Sequence, residues 1–167
     1  MKNKPINYLT QAAMIAAVYV VLTYVFQAFS FGEVQVRIAE ALTILPVFTP
    51  AAVPGLFVGC LLGNILGGAV LPDIIFGSLA TLAGALLTRL LRKKHPVIAI
   101  LPPIIANVIV VPLVLRFAYG VNLPIPFMML TVGIGEVISC GVFGVALYYA
   151  LRRFSNTIFR TQAWEKA

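Results

Sequence analysis

Charge is what this sequence most lacks. Of its 167 residues only 10% are charged, while 61% are hydrophobic and the mean hydropathy is +1.03. A soluble domain carries about 25% charged residues, so water would not solvate this surface and lipid would. Histidine is limited to His95, and cysteine to Cys60 and Cys140, both inside apolar segments. Without a CxxC pair or a Cys/His cluster, the sequence argues against a zinc site, a haem site and a disulfide framework. There is no G-x-x-x-x-G-K-[ST] phosphate loop, and neither G-x-S-x-G nor H-E-x-x-H occurs. No nucleophile–base pair is visible, so no enzyme activity, cofactor or metal is expected. The net charge of +7 does not indicate nucleic acid, because the basic residues sit at chain ends and between apolar runs, where membrane proteins keep cytoplasmic charge.

What the sequence has is long apolar runs. A transmembrane helix needs about 20 such residues to cross roughly 30 Å of hydrocarbon. Residues 7–29, 73–91, 97–115 and 126–151 each qualify. The first run follows Lys2 and Lys4 but is too long for a signal peptide and lacks an A-x-A cleavage site, so it reads as a retained helix. The block 38–71 contains Pro46, Pro50 and Pro54, a spacing that breaks helices. Two helices there, the first a short one over about residues 37–45, make six in total. Lys2, Lys4, Arg89, Arg92, Lys93, Lys94, Arg152, Arg153, Arg160 and Lys166 then face the cytoplasm, with Arg37 and Arg116 outside. The positive-inside rule favours this count over five. The expected fold is an all-α integral membrane protein with six transmembrane helices and N- and C-termini cytoplasmic. Residues 1–155 form one transmembrane domain and 156–167 a cytoplasmic tail, with Trp164 as an interfacial anchor.

Small residues supply the packing. Gly55, Gly59, Gly63 and Gly67 recur every four residues, a spacing that lets helix backbones approach in lipid. Ala12, Ala13, Ala16 and Ala17 make the first helix smooth, suited either to contact within the chain or to docking a partner helix.

Polar groups at membrane depth are costly and mark function. Placed along the six-helix arrangement, Glu40, Asn64, Asp73 and Asn107 fall in the outer half and Glu136 near mid-depth. Glu33, Gln35, Arg37 and Arg116 belong to outer loops. The inner half is nearly free of polar groups until the basic cluster. This asymmetry implies a polar cavity open to the outside over a dry inner half. Four carboxylates against two guanidiniums there favour a neutral or cationic solute rich in donors. A carboxylate meets an amidine-like edge with paired hydrogen bonds, and Phe29, Phe31, Phe76, Tyr119 and Phe127 offer stacking faces. Ordinary structural roles stay open: Asp73 as a helix cap, Glu40 paired with Arg37, Asn107 bonded to a neighbouring backbone. Glu136 is the hardest to account for without a ligand.

Three stretches carry a family resemblance: Val34-Gln-Val-Arg-Ile-Ala-Glu-Ala-Leu-Thr-Ile-Leu-Pro46, Phe48-Thr-Pro-Ala-Ala-Val-Pro-Gly55 and Asp73-Ile-Ile-Phe-Gly-Ser-Leu-Ala-Thr-Leu82. Over most of residues 5–153 the chain resembles the QueT family, substrate-binding S-components of energy-coupling factor (ECF) transporters. The resemblance implies a multi-pass protein of the bacterial plasma membrane. It would capture a queuosine precursor, a 7-deazaguanine, from outside. It would then join a module of one transmembrane coupling subunit and two ATPase subunits. Ala12, Ala13, Ala16 and Ala17 are similar to the docking motif of S-components. Depth and chemistry nominate Glu136 and Glu40 for the guanine-like edge or a cationic arm. Asn107, Asp73 and Asn64 are the remaining polar candidates, and Arg37 would hold a neighbouring carboxylate. An S-component for another vitamin-like solute, and a membrane scaffold that binds none, are the alternatives.

Overall fold

In the computed structural model of the chain, the described residues are 4–26 and 37–155. Among them every regular element is helical, and there is no strand. Helix α1 is Lys4–Val25. A 3₁₀ helix follows at Ile38–Val47, then α2 at Ala52–Leu66 and α3 at Leu71–Leu90. A single turn at Pro96–Ala99 runs into α4, Leu101–Phe117. The last helix, α5, is Ile125–Arg152, and its middle, Val137–Gly144, has π geometry.

Among the described residues four helices are long and apolar enough to cross a membrane: α1, α3, the 22-residue run Pro96–Phe117 and the 28-residue α5. The block 38–71 divides into two segments, and both are shorter than a span. The ten residues of the 3₁₀ helix reach roughly 20 Å and the fifteen of α2 roughly 22 Å. The prolines account for the division. Pro46 lies in the last turn of the 3₁₀ helix, Pro50 in the connecting turn, and Pro54 in the first turn of α2, where a missing N–H costs no helical bond.

The molecule is apolar outside and polar within. Leu9, Leu90 and Phe117 are 70%, 76% and 79% exposed, as suits side chains that lipid covers. The central core joins Ile15 and Tyr19 of α1, Leu42, Leu45 and Phe48, Leu56 and Cys60 of α2, and Ala85 of α3. The 3₁₀ helix sits inside this bundle, with eight of its residues buried.

Glycine sets how closely α1 meets α2. A Cβ on Gly55 would stand 2.7 Å from the Ala12 carbonyl oxygen, and one on Gly59 would stand 2.8 Å from Tyr19 Cβ. At Gly63 the neighbour is Thr23 Oγ1 at 3.2 Å. Helix α2 ends in a Schellman turn, with Ala69 N–H donating to Asn64 O (2.9 Å) and Gly68 N–H to Ile65 O (3.2 Å). The left-handed residue this turn requires is Gly68, at φ +75°.

Arg89, placed above with the cytoplasmic charges, is buried, and its guanidinium donates to Pro46 O at 3.0 Å and Val47 O at 3.4 Å. A helix end leaves carbonyls without partners, and Arg89 caps those of the 3₁₀ helix. Thr88 beside it donates to Ala99 O at 2.9 Å.

Candidate functional site

All six polar residues nominated as solute contacts are buried: Glu40 is 0% exposed, Asn64 1%, Asp73, Asn107 and Glu136 4% each, and Arg37 7%. They fall into two neighbouring groups.

The first group ties the start of α3 to the loop after α4. Arg37 Nη2 lies 3.8 Å from Asp73 Oδ2, and the Tyr119 hydroxyl donates to the same oxygen at 2.9 Å. The Val70 N–H in turn donates to the Tyr119 oxygen at 3.3 Å. Partial burial raises the Tyr119 phenol above its ordinary range, and the Asp73 carboxylate adds to the effect, so it serves as a neutral donor. Asn64 completes the group across Gly77. A Cβ there would stand 3.1 Å from Asp73 Oδ1 and 3.3 Å from Asn64 Nδ2. Arg37 thus forms an ion pair with Asp73.

The second group is built by two irregular helices packed on each other. A ten-residue 3₁₀ run is long for that geometry, and π turns recur at functional sites. The 3₁₀ helix carries Glu40 and Thr43. The π stretch carries Ser139 and Cys140, one turn after Glu136. Asn107 of α4 donates to Glu136 Oε1 at 2.8 Å. The Tyr19 hydroxyl of α1 donates to Glu40 Oε1. The Cys140 thiol faces Glu136 Oε2 at 3.2 Å and the Glu40 carbonyl at 3.4 Å, and Thr43 donates to that carbonyl at 2.6 Å. A carboxylate oxygen of Glu40, one of Glu136 and Cys140 Sγ all lie within 4.8 Å of one another. Two full charges that close would repel by about 3 kcal/mol at an effective dielectric of about 20. The group has unused capacity: Glu40 Oε2 is buried without a hydrogen-bond partner. Glu40, Glu136 and Cys140 are also the one trio of metal-ligating types drawn together among the described residues.

Tyr19, Cys140 and Thr43 belong to this site and were not nominated from the sequence. Cys140 carried a usable signal, since one helical turn places it beside Glu136. Of the aromatic faces, Tyr119 joins the first group through its hydroxyl, whereas Phe76 and Phe127 are 54% and 50% exposed, and Phe76 lines an apolar groove of about 340 Å³ between α3 and α4. Arg116, expected in a loop, lies in the last turn of α4 and donates to Val121 O and Asn122 Oδ1 of the loop that follows. Phe29, Phe31, Glu33, Gln35 and Trp164 lie outside the described residues.

The alanines divide by face. Ala12 and Ala16 are buried against α2, whereas Ala13 and Ala17 are exposed.

A helical bundle with a lipid-compatible exterior and buried carboxylates is a multi-pass membrane protein with an internal polar site. Its family follows from comparison. Residues 9–153 match the family model described as QueT transporter, and the chain belongs to that family. It is thus a transporter-family protein of the bacterial plasma membrane and not an enzyme. It is similar to the queuosine precursor transporter QueT of Lactococcus lactis subsp. cremoris (strain MG1363), 32% identical over 84 residues. That match spans 49% of this chain and 49% of the relative, about half the length of each. No solved structure matches the chain.

Proposed function

We propose that this protein is the substrate-binding S-component of an ECF-type transporter for a queuosine precursor. In this reading both short segments join the four long helices to make six passes, with both termini cytoplasmic. A 7-deazaguanine is captured from outside and passed on through a coupling subunit driven by two ATPases. The observation that carries the reading is the buried approach of Glu40 to Glu136, the latter bonded to Asn107. Carboxylates and an amide at membrane depth match a flat ligand rich in N–H donors. Family membership and the name of the Lactococcus relative point to the same substrate class. A scaffold would have no need to bury these groups. The exposed Ala13–Ala17 line of α1 is the proposed face for the coupling subunit.

The test is a calorimetric or thermal-shift titration of the purified protein against 7-deazaguanines, guanine and common vitamins. A selective response to a 7-deazaguanine is expected. A selective response to a vitamin would keep the S-component and change its solute. Silence across the panel would favour a scaffold.

A further inference from the structure

Exposed charge on this protein is of one sign. Among the described side chains the carboxylates, those of Glu40, Asp73 and Glu136, are all buried. The charged groups that are exposed are Lys93, Lys94, Arg116, Arg152 and Arg153. Arg116 stands apart, in the last turn of α4, and bonds to the loop that follows. The other four gather at the opposite end of the bundle. Lys93 and Lys94 lie in the turn that leaves α3, and Arg152 and Arg153 lie where α5 ends. Packing unites these two places, which are distant in the chain. The turn Pro96–Ala99, just after the lysines, packs on Val145–Arg152. Leu91 and Leu147 close on the same small core around Ala99 and Ile100.

An apolar collar borders the four cations. Leu90, Val97 and Phe154 beside them are exposed, and the Arg153 guanidinium lies 6.0 Å from the centre of the Phe154 ring. We infer that this surface binds an anionic phospholipid, with the headgroup phosphate on Lys93, Lys94, Arg152 and Arg153 and the acyl chains along the collar. Four like charges gathered without a carboxylate favour an anion between them, and basic clusters at helix ends next to the bilayer attract acidic headgroups. Guanidinium and phosphate also match in shape. A free phosphate or a soluble acidic peptide would meet the charges and leave the collar uncovered. The surface is separate from the polar site and independent of which solute that site takes.

The experiment uses the full chain in detergent with equal amounts of phosphatidylglycerol and phosphatidylcholine, and counts retained lipids by native mass spectrometry. Phosphatidylglycerol is expected to be retained about tenfold more, within what four basic groups near an acidic headgroup supply. With Lys93, Lys94, Arg152 and Arg153 all changed to Gln the ratio should fall toward one, whereas Arg116→Gln should keep it. Equal retention of both lipids by the unmodified protein would overturn the inference and leave the cluster to an acidic partner protein. A preference that survives the fourfold change would overturn the assignment to this surface. A preference abolished by an equal concentration of inorganic phosphate would make this a free-anion site and overturn the lipid. Basic residues also orient a chain during insertion, so a second reading keeps all four. Phosphatidylglycerol should protect Lys93 and Lys94 several-fold from an amine-reactive reagent, relative to phosphatidylcholine, and should not protect a lysine placed by Asn122→Lys at the other end of α4. Absence of that protection would likewise overturn the assignment.

Discussion

Tyr19 reaches Glu40 from a different helix, and its hydroxyl is the partner of one carboxylate oxygen while the other has none. Removing that donor leaves a wholly buried acceptor unsatisfied. Tyr19→Phe is expected to destabilise the protein by about 1–3 kcal/mol, read as a lower melting temperature in detergent. Glu136 has a different role. It accepts from Asn107 and faces Cys140, so Glu136→Gln keeps the shape and removes the carboxyl group. The folded protein should persist while affinity for a 7-deazaguanine drops about tenfold or more. Unchanged affinity would remove Glu136 from the contacts.

At the scale of elements, α1 has two faces with two roles. One is pressed onto the glycines of α2, where Gly59 admits Tyr19 Cβ and Ala16 Cα. Gly59→Ala places a methyl 2.8 Å from Tyr19 Cβ. The backbone there cannot yield cheaply, and overpacking costs about 1–3 kcal/mol. Because α1 also delivers Tyr19 to Glu40, the variant is expected to lose both thermal stability and solute affinity. The other face presents Ala13 and Ala17. Ala13→Trp should leave folding and solute affinity intact but block co-purification with the coupling module. Ala16→Trp points into α2 and should fail to fold, so the pair separates docking from packing. Normal assembly by Ala13→Trp would show that this face is not the dock.

The whole molecule raises the question of passes and orientation. Four helices are long enough to span alone. The 3₁₀ helix and α2 are short, and the six-pass reading needs them to cross as partners inside the bundle. Thiol labelling reads the orientation, because Cys60 and Cys140 are both free and fully buried and give little background. Lys94→Cys and Asn122→Cys lie in the turns at opposite ends of α4. In intact cells an impermeant reagent is expected to label the Asn122 position and spare the Lys94 position. The reverse pattern would invert the orientation. Labelling of both from outside would break the proposed topology.

Much of this was fixed by composition and order along the chain. The scarcity of charge dictated a lipid-facing exterior, because nothing else solvates such a surface. The apolar runs dictated helices, and the prolines at 46, 50 and 54 dictated where one block divides, because proline withholds a backbone donor. Depth alone picked out Glu40, Asn64, Asp73, Asn107 and Glu136 as buried polar groups. What the sequence could not decide was partnership. Arg37 ion-pairs with Asp73, thirty-six positions away, an approach that no local spacing shows. Cys140 joins the site because a 3₁₀ helix packs on a π stretch, and Tyr19 because α1 packs beside the 3₁₀ helix, and neither irregular geometry is written in a 3.6-residue period. Arg89 belongs to a basic cluster in the sequence and to the interior in space, because the carbonyls ending the 3₁₀ helix needed a donor. Side-chain distances of this kind arise from how helices cross, and only the tertiary structure sets those crossings.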